Sequence, residues 1–355
     1  MTDTIDWKLA EKVADRVSGS DPFASSYHAV RMESDFESLT TIAQAHVEAE
    51  VGFVSQAGAA RARVVDRTDW VRANLSSYQR LLRPMLSRME DKLDGPVATL
   101  SGKIAAVELG ALLGWMSTRV LGQYDLLVLE DENPEDQDLV YYVGPNILGL
   151  EKRHSFPPDE FRLWIALHEV THRTQFTGVP WLREHFLGLV NQLLEAADPD
   201  PAKLFAAVGR VADSLRTRTN PLKEGGLAAL FASTEQLAVM DQVGGLMSLL
   251  EGHGDVTMDR AAASSIPSAD RFARVLRSRR AEANPAVKIL QRLIGLEAKL
   301  AQYEQGERFI AAVEAVGGPQ LLNQAFAGPE NLPSMPEIKD PSTWLARVSP
   351  TASAA

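Results

Sequence analysis

Apolar residues recur at three- and four-residue intervals along most of this chain, and that spacing predicts a mainly helical protein. The predicted helices cover these ranges: 6–18, 33–93 (as several long helices), 103–121, 157–176, 181–196, 201–217, 234–260, 268–282 and 286–315. The segment after Gly317 is rich in proline and glycine, so we expect it to wrap irregularly over the body.

One region carries a clear β pattern. The short apolar runs Leu126–Leu129 and Leu139–Val143 flank an acidic loop, which predicts a small sheet or hairpin just before the helix at 157–176. The expected fold class is therefore mainly α (α+β). We expect one domain over residues 1–355, in which residues 1–100 could form an N-terminal helical subdomain.

Charge and cysteine content narrow the function classes. The net charge of −11 makes a nucleic-acid-binding surface unexpected. The chain has no cysteine, so a metal site must use histidine, aspartate or glutamate. The most apolar stretch contains Glu108 and is too short for a membrane span, and the acidic, amphipathic N-terminus is unlike a signal peptide. We expect a cytoplasmic protein without a membrane or nucleic-acid partner.

A His-Glu-x-x-His motif lies in the middle of the predicted helix 157–176. His168 and His172 are one turn apart on the same face, so both imidazoles can reach one metal ion. Glu169 points about a quarter turn aside, where it can hold a water and take its proton. The alternative is a pair of core histidines with a hydrogen-bonded glutamate, which would need three buried polar partners.

A zinc site needs a third protein ligand. The extended motif with a third histidine fails, because Gln175 and Gly178 occupy its glycine and histidine positions. The best candidate is Glu251, with Asp255 one turn further along the same helix as the hydrogen-bond partner of a ligating histidine. The alternative is an exposed acidic helix end.

Glycines around Glu251 lower helix stability, and close approach to another backbone would explain them. His253 projects away from Glu251 on an ideal helix. It becomes a candidate for hydrogen bonding to a substrate oxygen if the helix ends near Gly252.

Several stretches together resemble the zincin-like metallopeptidase family, whose members are found mainly in actinobacteria and their relatives and are often labelled hydrolases or proteins associated with deazaflavin-coenzyme biosynthesis. The resembling stretches are GQYD (122–125), YYVGPNI (141–147), LHEVTHRTQFTGVPWLREH (167–185), LMSLLEGHGDVTMD (246–259) and KLAQYEQGERF (299–309). The resemblance implies a zincin-like helical fold and one zinc ion. It assigns His168 and His172 as ligands and Glu169 as the base, and it places Glu251 in the later acidic motif.

The expected function is zinc-dependent hydrolysis of a peptide or protein substrate. Tyr303 lies in one of the resembling stretches and is our candidate donor to the oxyanion, although a packed tyrosine is an equal alternative. The strand near Tyr141–Val143 could pair with an extended peptide, which makes Tyr142 a candidate substrate contact.

Two other hypotheses about the function stay open. The first is a binding or scaffold protein that keeps the helices without turning over substrate. The second is a di-iron carboxylate bundle, because Glu169-x-x-His172 also fits that signature. A di-iron site needs a second copy on another helix, and the other copy, Glu151-x-x-His154, is not expected to be helical.

Overall fold

The structure is a computed structural model. It describes residues 5–21, 23, 26–90, 96–126, 137–196, 234–263, 265–281 and 296–349. The predicted helix at 201–217 and the run Leu127–Leu129 lie outside these residues.

Helices dominate the described residues, as the sequence predicts. In chain order the elements are α1 Trp7–Ser18, α2 Tyr27–Val51, β1 Arg61–Val65, α3 Arg67–Glu90, α4 Pro96–Ser117, β2 Gly122–Tyr124, β3 Leu139–Val143, α5 Gly144–His154, α6 Pro158–Gly178, α7 Leu182–Ala196, α8 Thr234–Ala262, α9 Ala269–Ala281, α10 Leu296–Leu322, two 3-10 turns at Asn323–Phe326 and Pro329–Asn331, α11 Met335–Lys339 and α12 Pro341–Val348.

The three strands form one sheet with the order β1-β3-β2. β3 coincides with the predicted apolar run, and β2 is antiparallel to it, as in the expected hairpin. β2 begins at Gly122, however, earlier than the predicted run from Leu126. β1 pairs with β3 in parallel and was not predicted, because it interrupts a stretch expected to be helical.

The C-terminal segment is more regular than its composition suggests. α10 is kinked at Gly317 and Gly318, which leave helical geometry, and the chain then forms two 3-10 turns and two short α-helices. A capping box between Ser334 and Glu337 starts α11. The expectation of an irregular tail is therefore wrong, because capping bonds order its short helices.

The chain divides into two compact units: residues 1–178 with 257–272, and residues 179–256 with 273–355. In the first unit, α4 packs closely on α1. A methyl group added at Gly114 would meet Cβ of Val17 at 2.8 Å, and one at Gly110 would overlap the carbonyl oxygen of Ala10. The absence of side chains at these glycines therefore lets the two helices touch. The expected single-domain organisation stays a prediction.

In the second unit, α8 and α10 touch through a pair of glycines. A methyl group added at Gly252 would meet the carbonyl carbon of Gly306 at 2.5 Å, and one at Gly306 would overlap the carbonyl oxygen of Ser248. The close backbone approach expected from the glycines around Glu251 is therefore confirmed.

Within the described residues, no helix has the length and apolar character needed to cross a lipid bilayer.

Candidate metal centre

The helix that carries the His-Glu-x-x-His motif, α6, is fixed at its start by a buried arginine. Asp159 and Glu160 lie in the first turn, where carboxylates favour the positive end of the helix dipole. Arg162 donates two parallel hydrogen bonds of 2.8 and 2.9 Å to the carboxylate of Glu151 on α5. It also donates at 2.5 Å to Asp35 on α2. The bidentate pair fixes the rotation of α6 relative to its neighbours.

A second buried arginine lies directly after the motif. The side chain of Arg173 is 0% exposed and pairs with the carboxylate of Asp138, with Nη2 to Oδ2 at 2.6 Å. Nη2 also donates to the backbone carbonyl of Gly58 at 3.0 Å. Asp138 immediately precedes β3, so this contact connects the motif helix to the central strand of the sheet. The motif is thus held by buried ion pairs on both flanks.

The two motif histidines face each other through the same ring atom. Nε2 of His168 and Nε2 of His172 are 3.2 Å apart, and the rings are nearly perpendicular at 89°. Two nitrogens bound tetrahedrally to one zinc, at the usual bond length, would be about 3.3 Å apart. The two ring nitrogens are therefore spaced as ligands of a single ion.

Gln175 contacts the other ring nitrogen of His172. Nδ1 of His172 lies 3.0 Å from Oε1 of Gln175, one turn further along α6. An amide oxygen can only accept, so this contact is a hydrogen bond when Nδ1 carries the ring proton, and Nε2 then keeps its lone pair. The sequence offered a signal for this contact, because residues three apart share a helix face. In the sequence alone, Gln175 stands out only as a departure from the extended motif.

The carboxylate of Glu169 lies beside the edge strand β2. A methyl group added at Gly122 would meet Cγ of Glu169 at 2.5 Å and its Cδ and Oε1 at 2.8 Å. Glu169 is itself buried. The sequence grouped Gly122 with a resembling stretch but gave no sign of this contact, which depends on packing between distant segments.

Glu251 lies on α8 and is buried. His168 and His172 offer two ring nitrogens that are spaced for one metal ion, and Glu251 as the third ligand stays a prediction. Two imidazoles and a carboxylate are a donor set that zinc accepts in hydrolytic sites. Their chemistry therefore fits the metal that the resemblance implies.

Two further site candidates, His253 and Asp255, lie on α8. The helix does not end near Gly252 but continues to Ala262, so the condition attached to His253 is not met. His253 is buried, with its ring 5.1 Å from that of Phe326. Asp255 is partly buried one turn beyond Glu251, and its role as partner of a ligating histidine stays a prediction.

The structure describes the side chain of only one of the two tyrosine candidates, Tyr142 as a substrate contact and Tyr303 as an oxyanion donor. Tyr142 is 0% exposed, its hydroxyl lies 2.8 Å from that of Thr40, and its ring stacks on Phe36. Burial raises its pKa far above the ordinary value. Its strand, β3, is paired on both sides, so the structure does not support the expected contact of Tyr142 with substrate. Tyr303 lies on α10, but its side chain is outside the described residues.

The second Glu-x-x-His copy is helical after all. Glu151 and His154 both lie on α5, contrary to our expectation. The carboxylate of Glu151 is nevertheless buried and paired with both Nε and Nη2 of Arg162. Because that ion pair occupies both of its oxygens, Glu151 is a structural residue and does not supply the second half of a di-iron site.

A mainly helical chain with a small sheet and a His-Glu-x-x-His helix is of the zincin class. Residues 5–345 match the zincin-like metallopeptidase family, so the chain belongs to that family. The family resemblance seen in the sequence is thus confirmed.

A solved structure shows the same fold. It is described as "a putative hydrolase with a novel fold" from Chloroflexus aurantiacus, and it is 31% identical to this chain with a TM-score of 0.72. The match covers 97% of this chain and 98% of that one. No curated protein gives a significant match. The family and this relative together support a metal-binding hydrolase.

Proposed function

We propose that this protein is a zinc-dependent peptidase whose metal ligands are His168, His172 and Glu251. The observation that carries the proposal is the 3.2 Å approach of the two histidine Nε2 atoms. Two imidazole nitrogens turned toward each other need a shared proton or a shared cation between them. Family membership favours the cation.

Glu169 is the proposed general base. When bound, zinc supplies Lewis acidity, which polarises a carbonyl group and makes water acidic enough to lose a proton near neutral pH. Glu169 follows the first histidine directly, so its carboxylate is directed aside from the metal and can take that proton. Gly122 leaves room for the carboxylate against β2.

A peptide substrate is proposed to bind along β2 rather than β3. In the sheet order β1-β3-β2, β2 pairs with β3 alone among the described strands. An extended peptide can add to such an edge through backbone hydrogen bonds. Pairing near Gly122 would bring a peptide carbonyl close to Glu169. We retain Tyr303 as the proposed donor to the oxyanion, on the resemblance alone.

Metal content and cleavage together test the proposal. Protein prepared without chelator should contain about one zinc per chain, and His168→Ala with His172→Ala should remove it. Glu169→Gln should retain zinc and lose roughly a hundredfold or more in cleavage of a peptide library, because an amide cannot take the proton. Full zinc in the double histidine variant would reject the ligand assignment. Zinc binding without cleavage of any peptide would favour a binding or scaffold protein.

A further inference from the structure

Gln175 is a fully buried polar residue that the proposed chemistry does not use. Its side chain is 0% exposed, and its Oε1 lies 3.0 Å from Nδ1 of His172. Neutral histidine carries one ring proton, and the partner of one nitrogen decides where that proton resides. Here the amide oxygen holds the proton on Nδ1, which leaves the lone pair of Nε2 directed toward His168.

We propose that Gln175 is a positioning residue that keeps His172 in its metal-binding tautomer. The inference rests on the proposed function, because it assigns His172 as a ligand. The opposite orientation of the amide would donate to Nδ1 and place the proton on Nε2, where it blocks a metal ion. Gln175 therefore affects metal affinity through the orientation of its amide, without touching the metal.

The chain offers a matched control one residue away. Thr174 is also fully buried on α6, and its hydroxyl has no hydrogen-bond partner among the residues that the structure describes. Thr174→Val thus changes a buried side chain next to Gln175 without removing a hydrogen bond. Gln175→Met keeps most of the shape of glutamine, but its sulfur is only a weak acceptor and it has no donor. Gln175→Glu keeps the acceptor and cannot donate when ionised.

Zinc affinity, measured by competition with a chelator, gives the first test. Gln175→Met should bind zinc roughly 10- to 100-fold more weakly, as expected when the partner of a ligating histidine is lost. Gln175→Glu should bind at least as tightly as the parent, and Thr174→Val should match the parent. Parent-like affinity in Gln175→Met would overturn the role of Gln175 and leave the proposed zinc site intact.

The tautomer itself can be read without metal. Long-range proton–nitrogen NMR correlations of the metal-free parent should show His172 protonated on Nδ1. Protonation on Nε2 would overturn the inference even if Gln175→Met fails to fold. If the parent showed the Nδ1 proton but bound no zinc, the proposed function would fail while the contact with Gln175 stood.

Discussion

The Cα atom of Gly122 lies directly against the side chain of Glu169, so the edge strand and the proposed general base are in contact. Any larger residue at this position would meet Cγ of Glu169 at 2.5 Å. Side chains in a packed interior cannot shift freely to relieve such an overlap. The position of the carboxylate therefore depends on the absence of a side chain at residue 122.

Gly122→Ala should lower catalysis without removing the metal. The added methyl group displaces the carboxylate of Glu169, and the three heavy atoms nearest to that methyl group all belong to Glu169. We expect zinc content near that of the parent and a loss of turnover approaching the roughly hundredfold effect of removing a general base. Zinc analysis and peptide cleavage on the same preparation test this.

Gly188→Ala provides the matched control. Among the described residues, nothing lies within 4 Å of a methyl group added at Gly188 on α7, so this variant should retain parental turnover. Alanine is also the better helix former, which favours folding. Equal turnover for Gly122→Ala and the parent would show that Glu169 does not act from its position beside β2.

Asp255→Asn should weaken zinc binding roughly 10- to 100-fold if Asp255 accepts the free N–H of a ligating histidine. Nδ1 of His172 already has Gln175 as partner, so the expected partner of Asp255 is now His168. Competition against a chelator measures the change. Asp241→Asn, at an exposed position on the same helix, is the control. Equal zinc affinities for the two variants would reject this role and indicate that Asp255 is an ordinary residue of the helix.

Asp138→Asn should destabilise the protein because it leaves the guanidinium of Arg173 buried without its counter-charge. Removal of one partner from a buried pair costs roughly 3–5 kcal/mol, and the partial exposure of Asp138 places the expected loss near the lower figure. Urea unfolding measures it. The comparison is Glu11→Gln, whose partner Arg72 is exposed.

That control pair has side chains 57% and 36% exposed, so its loss should stay below about 1 kcal/mol. A loss for Asp138→Asn no larger than that of Glu11→Gln would show that the ion pair with Arg173 does not stabilise the motif helix.

Glu337→Gln should cost stability at neutral pH and less in acid. Burial alone would raise the pKa of Glu337, but hydrogen bonds from Arg347 and Ser334 outweigh it and lower the pKa. The ionised carboxylate thus stabilises the fold above its ordinary pKa of 4.5, and this contribution is lost as the pH falls through the lowered value. Unfolding of parent and variant at neutral pH and well below pH 4.5 should show the difference shrinking.

The pKa of Glu33 is shifted in the opposite direction to that of Glu337. Burial raises its pKa, so its ionised form disfavours the fold as the pH rises. Relative to the parent, Glu33→Gln should therefore become more favourable toward neutral pH, whereas Glu337→Gln becomes less favourable. Parallel trends for the two variants would contradict both assignments.

The features that could be predicted from the sequence are those that depend on residues close together along the chain. The helix carrying His168 and His172, the strand from Leu139 and the glycine-mediated approach at Gly252 all follow from local spacing or composition. β1 was missed because it is short and begins with two arginines separated by one alanine. Its partner β3 is far away in the sequence, and local periodicity carries no information about such a parallel pairing.

The fit of Gly122 to Glu169 and the burial of Tyr142 depend on tertiary packing. An apolar strand has the same sequence pattern at the centre of a sheet as at its edge. The expected substrate contact of Tyr142 therefore assumed an edge position that the structure does not show. Gln175 is different, since its spacing from His172 was visible in the sequence. It was missed because the sequence does not show whether an amide is buried, and burial is what makes its orientation matter.

Arg162 and Arg173 fix the motif helix from both flanks through ion pairs that need no metal. The helix should therefore keep its shape when zinc is withdrawn, unlike small domains that unfold without their ion. Circular dichroism of chelated protein should retain the helical signal, and its loss would contradict this expectation. If the helix persists, activity would follow the local zinc supply through metal exchange rather than through refolding, so metal-free chains could form a reserve that becomes active as soon as zinc arrives.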